Sequence, residues 1–448
     1  QKVENPSEIL NIRTTDTNNV VLGYDAYQEG TGYSNAETKK FSVTNKEGKS
    51  EIVDGYMWVH NLAELQAMDT DTHSNYALRN SIDANATAEA TNRFKPIDTF
   101  YGNFDGLGYS IFGLHIDTTN NPDDYAGLFS STYKANIRNF TLNGGSISGG
   151  KYVGAVVGSA SGGIIENITN TASVSGTGEG GTGGIVGYAG DTTMSGLKNI
   201  GTIKGDANSE NVGGIVGYMM DGSLTGESYN LGGVTGGHNV GGIVGQATNG
   251  AEIGGGSFQI FNQLNVTGDY NVGGIAGTLS GGTITNAANH GNVTAEGYTT
   301  ETYRYHKGNA AWIEHNGQKE LEVYENTTGS VDDIYTANTG GIVGNASNSA
   351  ISDTENTGDV TTLKNLGGTD TGTYYNAGNV GGIVGLIEGS STVQNVANHG
   401  DVKATSHMQE QYQYHANAAQ WQMDDYLNNK YEGINTTMQG DVATVKDL

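Results

Sequence analysis

Small apolar residues recur along the chain in one fixed phrase, in which Ile and Val stand between glycines. The fullest form, Val-Gly-Gly-Ile-Val-Gly, begins at Val212, Val240 and Val380. The eight copies of the phrase occupy Tyr125–Phe129, Val153–Gly158, Gly183–Gly187, Val212–Gly217, Val240–Gly245, Val272–Gly277, Gly340–Gly344 and Val380–Gly385.

The distance between copies defines a unit of about thirty residues. The equivalent positions are Gly127, Ala155, Gly184, Gly214, Gly242, Gly274, Gly341 and Gly382, which are 28, 29, 30, 28, 32, 67 and 41 residues apart. The first five spacings define the unit, and the last two indicate the same unit with insertions.

A second phrase, Asn-hydrophobe-x-Asn-x-Gly-x-Val, lies between copies, as in Asn286–Val293 and Asn395–Val402. Each unit therefore holds two or three short β-type runs separated by Gly and Asn turns, with no helical period. A unit of this size suits one coil of a parallel β-helix, whose coils bury their apolar residues only by stacking on one another. A β-propeller is the alternative, but its blades usually need ~40 residues or more.

Stacking of the coils predicts the orientation and backbone conformation of the repeated residues. Ile215, Ile243 and Ile383 should point inward and form ladders with the Ile of neighbouring copies. The flanking glycines should permit tight turns, and Asn at turns should tolerate left-handed backbone and form stacked hydrogen-bonded ladders.

Composition narrows the class of protein. Gly contributes 71 of 448 residues, roughly 16% against a usual ~7%, whereas Pro contributes 3 and Cys none. The 21 basic and 48 acidic residues give a formal charge of −27, which repels phosphate backbones and anionic lipid. No apolar run approaches the ~18 residues of a membrane span. We therefore expect no nucleic-acid partner and no membrane insertion.

The repeat resembles the GLUG motif of filamentous-haemagglutinin-like secreted bacterial adhesins, which also occurs beside the catalytic domain of some IgA-cleaving metallopeptidases. The resemblance spans about residues 56–400 and includes a leader that stands here as Leu62–Gln66, Asn75–Leu78, Ile82–Ala84, Pro96–Ile97 and Tyr101–Ile111. It departs from that leader at Ser81, Asp98 and Tyr109. The Asn-Pro-Asn-Gly-Ile secretion motif of two-partner-secretion adhesins is absent from the sequence. The resemblance implies a right-handed parallel β-helix and a secreted or cell-surface location.

Residues 57–68 are predicted to form one short helix that caps the first coil. Asn61 followed by Glu64 fits a capping box, and Leu62, Leu65 and Met68 form an apolar stripe. The predicted organisation is an N-terminal β-rich segment (1–55), the cap and first coils (56–125), the β-helix (126–400) and a C-terminal end (401–448).

Two homologous insertions are the most informative feature of the chain. The first, at about 295–336, and the second, within 401–448, each follow an Asn-His-Gly turn, and their aromatic residues match at a constant offset of 109 positions. Exposed aromatic rings among Asn, Gln and His suit contact with a sugar or protein, although the rings would equally pack as a small side domain. The candidate binding residues are Tyr303, Tyr305, His306, Trp312 and Tyr324 in the first insertion, and Tyr412, Tyr414, His415, Trp421 and Tyr431 in the second.

Motifs for catalysis or tight metal binding are missing from the sequence. Glu314-His315 lacks the second His of a zinc-peptidase helix, and Gly-x-Gly patterns are too common here to indicate phosphate loops. No cofactor is expected, although Asp123-Asp124, Asp332-Asp333 and Asp424-Asp425 could bind Ca²⁺ through loop oxygens.

The sequence thus favours a non-enzymatic extracellular adhesin or structural rod that displays aromatic loops at a bacterial surface. Its partner would be a surface glycan or protein of host or bacterium, or another copy of the chain. Two alternatives stay open. One is an accessory β-helix of a secreted peptidase or carbohydrate-active enzyme, and the other is a subunit of a self-assembling surface fibre or layer.

Overall fold

The computed structural model describes residues 21–34, 38–45, 48–296, 337–362 and 379–404, together with the backbone of a few short strands elsewhere. The described chain is all-β apart from short helical turns, and it winds into a parallel β-helix of about 9 turns. The predicted fold class is confirmed. Four ladders of parallel strands form its walls, and we number these sheets 1 to 4.

Sheets 1 and 2 lie on either side of the Gly-Gly-Ile corner. Sheet 1 contains Phe129–Tyr133, Val157–Ser161, Val186–Gly190, Val216–Met220, Val244–Thr248, Ala276–Ser280, Val343–Ser347 and Val384–Glu388. Sheet 2 contains Tyr152–Gly154, Gly181–Gly183, Glu210–Gly213, His238–Gly241, Tyr270–Gly273, Asn338–Gly340 and Asn379–Gly381.

Sheets 3 and 4 close each coil and share the long strand Asn136–Gly149. Sheet 3 further contains Gly23–Tyr24, Tyr56–Val59, Tyr76–Leu78, Asn103–Asp105, Ile164–Asn170, Thr193–Asn199, Ser223–Thr225, Tyr229–Asn230, Glu252–Gly254, Ile260–Asn262, Thr283–Asn289, Ala350–Asn356 and Thr392–Asn398. Sheet 4 contains Ile82–Asp83, Ser110–Asp117, Ser173–Gly176, Ile203–Gly205, Val234–Thr235, Val266–Gly268, Val293–Ala295, Val360–Thr362 and Val402–Ala404.

Smaller elements lie outside these walls. Ile12–Thr14, Lys40–Asn45 and Ser50–Asp54 form a three-stranded sheet. The other strands are Ala310–His315 with Gln318–Val323, Tyr374–Tyr375 with His407–Met408, and Glu410–Gln413 and Asn435–Gln439 with Val442–Lys446.

The register of sheet 1 reproduces the repeat spacing. Its first residues pair in the order Phe129, Val157, Val186, Val216, Val244, Ala276, Val343 and Val384, and each lies two positions after the corresponding residue of the repeat. The coils therefore keep one strand register, and the inserted residues do not shift it.

The predicted isoleucine ladder is confirmed. The Ile215 amide donates to the Ile243 carbonyl at 2.9 Å, and the same bond continues from Ile243 to Ile275 at 3.0 Å. Ile215 and Ile243 are fully buried, and Ile383 is partly buried against the core in the last described coil. This column supplies a continuous apolar stripe along the interior.

A second buried column consists of asparagine side chains at the ends of the sheet 3 strands. Each Nδ2 donates to the Oδ1 of the Asn in the next coil over 2.7–2.9 Å, through Asn170, Asn199, Asn230, Asn262, Asn289, Asn356 and Asn398. The first six are fully buried, and each also donates to the carbonyl two residues further along the chain. The ladder thus satisfies polar groups that would otherwise be costly in the interior.

The backbone of the next coil and the asparagine ladder together explain why the second position of the Gly-Gly pair is glycine. A Cβ at Gly242 would lie 2.1 Å from the Gly274 carbonyl oxygen. A Cβ at Gly242 would lie 2.5 Å from the Asn262 Cγ, and one at Gly214 would lie 2.5 Å from the Asn230 Cγ. The same clash recurs at Gly341 with Asn356. The two sequence phrases are therefore complementary across the coil. The side-chain amide of the asparagine phrase packs on the Cα of the glycine phrase, which carries no side chain.

The helix is shorter than predicted. It spans Leu62–Ala67 and continues as a 3₁₀ turn over Met68–Thr70, whereas residues 57–59 belong to the preceding strand. Asn61 caps it by accepting from the Glu64 amide at 3.0 Å. The Glu64 carboxylate accepts from the His60 amide and from the Asn61 side-chain Nδ2, each at 2.8 Å, and not from the Asn61 backbone amide of a standard capping box. No helix in the described parts of the chain is long and apolar enough to cross a membrane.

The first coils are closed by a strand pairing and not by the helix. Gly23–Tyr24 pairs in parallel with Tyr56–Val59, which pairs in turn with Tyr76–Leu78. Leu65 and Met68 of the helical segment are fully buried beside this stack. Part of the predicted N-terminal segment is therefore continuous with the β-helix. Further 3₁₀ turns span Asn85–Ala88 and Ala90–Asn92.

We expect Gly242→Ala to lower the free energy of unfolding by about 1–3 kcal/mol, because the new methyl group would overpack the contact with Asn262. Gly233→Ala is the matched control, since a Cβ there meets nothing within 4 Å, and its effect should stay within about 0.5 kcal/mol. Urea unfolding of the two variants makes the comparison. Equal stability of both variants would show that the glycine–asparagine contact is not restrictive.

Candidate binding surfaces

The predicted aromatic residues fall in parts of the chain that the structure describes only as backbone or not at all. Trp312 lies in the strand Ala310–His315, opposite Leu321, and Tyr412 lies in Glu410–Gln413, opposite Ala443. Tyr303, Tyr305, His306, Tyr324, Tyr414, His415, Trp421 and Tyr431 lie outside the described residues. The binding role of all ten residues stays a prediction.

The points where the insertions leave the coil are well defined. Ala295 pairs with Thr362, and Thr362 pairs with Ala404, so three consecutive coils end sheet 4 in register. Residues 297–336 follow the first of these strands and residues 405–448 follow the third. Both insertions therefore depart from the same edge of the rod, as the shared Asn-His-Gly turn predicts.

The two departure points lie close together along the rod. Two coil steps separate Ala295 from Ala404, which corresponds to roughly 10 Å at about 4.8 Å per step. The 109 residues between these points form so few steps because they include insertions that add no coil.

A third insertion shares this edge. Residues 363–378 lie between Val360–Thr362 and Asn379–Gly381, at the same corner of the intervening coil. The 41-residue spacing between Gly341 and Gly382 indicated this insertion in the sequence. The inserted segment lacks the Tyr and Trp pattern of the first and second insertions. Earlier coils cross the corner with one to four residues, as in 269, 236–237 and 206–209. The edge thus tolerates loops of very different length.

A crease runs along the outer surface where sheets 1 and 2 meet. A Cβ at Gly187 of sheet 1 would lie 2.6 Å from the Val153 nitrogen of sheet 2 in the preceding coil. Further along, the Thr278 Oγ1 of sheet 1 donates to the Asn239 Oδ1 of sheet 2 at 2.8 Å. Outward side chains of two sheets can meet in this way only if the surface is concave between them. The third glycine of each repeat permits this sharp fold.

Four tyrosines line one end of the crease, and sequence analysis did not single them out. The ring centroids of Tyr125 and Tyr152 are 5.2 Å apart, those of Tyr152 and Tyr188 are 5.2 Å apart, and those of Tyr188 and Tyr218 are 5.4 Å apart. All four side chains are partly exposed. In the sequence, only the tyrosine that follows Gly187 and again Gly217 indicated that such rings could line up. We call these four residues the tyrosine stripe.

The two central tyrosines of the stripe, Tyr152 and Tyr188, are held in their neutral form. Burial, followed by the neighbouring tyrosines Tyr125 and Tyr218, raises the pKa of the Tyr152 phenol above its ordinary value. Burial also raises the pKa of Tyr188, with smaller contributions from Tyr218, Tyr152 and two nearby aspartates. These hydroxyls therefore stay protonated at neutral pH, and each can both donate and accept a hydrogen bond.

Amides continue the crease beyond the tyrosines. On sheet 2, each Nδ2 donates to the Oδ1 of the preceding coil over 2.8–3.0 Å, in a ladder through Asn211, Asn239, Asn271, Asn338 and Asn379. Gln246 and Thr278 occupy the facing outward positions on sheet 1, in register with Tyr218. The surface of the crease is therefore polar and uncharged over these coils.

A different aromatic surface lies on sheet 3. Tyr229 and Phe261 stack at 4.9 Å with nearly parallel rings, and the Lys198 ammonium lies 5.1 Å from the centre of the Tyr229 ring. Lys198 also pairs with Glu227 at 2.9 Å. Phe261 and Lys198 therefore both contact the Tyr229 ring, and the two aromatic rings span only two coils.

The most buried ion pair of the described chain is structural. The Arg138 Nε donates to the Asp105 Oδ2 at 2.8 Å, and the other Asp105 oxygen accepts from the Leu107 amide and the Asn139 side chain. Asp105 is 2% exposed. Its lone pairs are used within the fold, so the pair is not poised to attack or protonate a substrate.

The residues proposed for Ca²⁺ are only partly described. Asp123 and Asp124 are exposed in a loop, and the other two Asp-Asp pairs fall outside the described ranges. Within the part of the chain that the structure describes, no three His, Asp or Glu side chains converge in a metal-binding arrangement. Calcium binding therefore stays a hypothesis.

We expect the coils to fold without the first insertion. Residues 296–336 can be replaced by Asp-Ala-Asn-Ser, the 206–209 segment that crosses the same corner three coils earlier. Shortening the loop should raise the free energy of unfolding by up to about 2 kcal/mol through a smaller closure entropy. Far-UV circular dichroism during thermal unfolding tests this. Loss of a cooperative transition would show that the insertion completes the coil.

Comparison with known proteins gives partial similarities. No family model matches the chain. Halomucin from Haloquadratum walsbyi (strain DSM 16790 / HBSQ001) is 36% identical over 144 residues, which are 29% of this chain, and the match spans 2% of the length of halomucin. A solved structure described as a "putative immunoglobulin A1 protease" from Bacteroides ovatus aligns with a TM-score of 0.44 at 16% identity, covering 77% of this chain and 84% of that one. A further solved IgA1 protease aligns with a TM-score of 0.38 at 16% identity, covering 65% of this chain and 25% of that one.

Proposed function

We propose that the chain is a non-enzymatic extracellular rod that displays side loops from one edge for adhesion or assembly at a cell surface. The observation that carries this proposal is the register of Ala295, Thr362 and Ala404, which brings three insertions to the same corner of three consecutive coils. The loops would act together, because neighbouring departure points are only about 4.8 Å apart along the rod.

The rod is suited to hold such loops at a fixed position. Backbone bonds connect the described coils, and the isoleucine and asparagine ladders add to them in the coils from Asn170 onward. A repeat architecture of this kind keeps its cross-section constant, whereas insertions concentrate on one face that is often the binding face. We therefore expect the scaffold to fold whatever the loop sequences are.

The proposed partner is a glycan or protein of a host or bacterial surface, or another copy of the chain. The formal charge of −27 opposes binding to nucleic acid or to anionic lipid. Aromatic residues in the insertions would supply rigid contact area at low entropic cost. The resemblance to GLUG-containing adhesins supports a secreted or cell-surface location for this rod.

The loop aromatics provide a direct test. Replacing Tyr303, Tyr305, Trp312, Tyr412, Tyr414 and Trp421 with Ser should leave the β-helix folded and reduce adhesion at least about tenfold, or about 1.4 kcal/mol. Adhesion is measured with protein-coated beads on mucin-coated and bacterium-coated surfaces, and self-association by sedimentation velocity. Tyr133→Ser, at a 47% exposed tyrosine of the rod, is the control.

Each result of this experiment has a clear meaning. Loss of adhesion or of self-association in the six-residue variant alone supports the display function and identifies the partner class. Full retention of both activities without the six rings would refute a binding role for the loops. Global unfolding of the variant would show that the rings complete the core instead.

The alternative function is an accessory region of a secreted peptidase or carbohydrate-active enzyme. We expect the isolated chain to release no product from immunoglobulin A1, casein, mucin or neutral polysaccharides, because the sequence shows no nucleophile, base and metal constellation. Product analysis by mass spectrometry and by reducing-sugar assay is the measurement. A turnover that a single substitution abolishes would establish an enzyme.

A further inference from the structure

We propose that the crease between sheets 1 and 2 is a binding site for a neutral oligosaccharide chain, which lies along the tyrosine stripe. The site is formed by the rod itself and is separate from the loop display described above. It lies on the coils from Tyr125 to Tyr218, which precede the first insertion in the chain.

The aromatic surface of the crease matches the shape of a sugar chain. Four partly exposed rings follow one another at 5.2, 5.2 and 5.4 Å, one ring for each successive coil. The C–H faces of pyranose rings are apolar and pack on the π-face or edge of an aromatic ring, much as other apolar groups do. A linear oligosaccharide can therefore contact consecutive tyrosines without large bends.

The polar atoms of the stripe are available to a ligand. The hydroxyls of Tyr125, Tyr152 and Tyr188 form no hydrogen bond with the rest of the described chain, and the Tyr218 hydroxyl has only a long contact of 3.3 Å with the Thr248 Oγ1. Each phenol can donate one bond and accept others, as a sugar hydroxyl does. Sites of this kind combine aromatic walls with a few polar groups that fix orientation.

The surroundings favour an uncharged ligand. Beyond Tyr218, the crease continues with Gln246, Thr278 and the amide ladder of Asn239 and Asn271, all of which are hydrogen-bonding and neutral. The strongly acidic chain repels anionic glycans at longer range. Asp191 and Asp221 act on Tyr188 and add to this repulsion at the tyrosine stripe.

The test uses the folded rod with its loops intact and titrates it with neutral hexasaccharides of the malto, cello, manno and chito series by isothermal calorimetry. We expect one series to bind, and Tyr152→Ser combined with Tyr188→Ser to weaken it at least about tenfold. Tyr229→Ser is the matched control, because that partly exposed tyrosine lies on sheet 3, away from the crease. It should change the dissociation constant by less than about twofold, as expected for a residue outside the interface.

A second variant distinguishes a loss of binding from a loss of folding. Tyr152→Phe with Tyr188→Phe keeps the ring packing and removes only the two hydroxyls, so it should fold and lose affinity several-fold. The variant with the six loop aromatics replaced should bind the hexasaccharide normally, which separates this site from the display function. Absence of binding to all four series, equal losses in the crease and Tyr229 variants, or loss on removing only the loop aromatics would each overturn the proposal.

Discussion

The contact between a buried asparagine amide and a bare glycine Cα is the constraint on which the rest of the fold depends. Asn262 fills the space that a side chain at Gly242 would need, and it also bonds to Asn230, Asn289 and its own backbone. An apolar side chain at this position would pack but would leave the turn carbonyl unpaired. A larger residue at the glycine would displace the amide. The two sequence phrases are thus one physical unit, which fixes the cross-section of the coils from Gly184 to Asn398.

A fixed cross-section determines where the molecule can vary. The Gly-Gly-Ile corner has no spare volume, since all three glycines of the repeat press against backbone or amide atoms. The corner after sheet 4 also contains closely packed glycines, such as Gly178 and Gly205. Its connections nevertheless range from the single residue Asp269 to the long insertion that follows Ala295. Variation in sequence and length is therefore directed to one edge, while the crease keeps a regular surface over many coils.

Spacing alone was enough to predict the fold and its register. Each first residue of sheet 1 lies two positions after its predicted repeat position, even across insertions. The roles of the two asparagines in the second phrase were not separable from sequence. Asn286 adopts φ of 55° at a bend, whereas Asn289 lies buried in the ladder. The tyrosine stripe was missed because it forms between residues of adjacent coils, and only the concave corner brings Tyr152 against Tyr188.

The register has a consequence for how such a chain can lengthen. The two homologous insertions are offset by 109 residues, and Val293 and Val402 are offset by the same number while lying two coil steps apart. The duplicated segment therefore equals a whole number of coils. A duplication that does not span a whole number of coils would place a different residue opposite the amide of Asn289 and interrupt the column. Recombination within the gene can therefore add or remove only whole coils. Its products can differ in rod length and in the number of loops, but each folded product keeps the same interior.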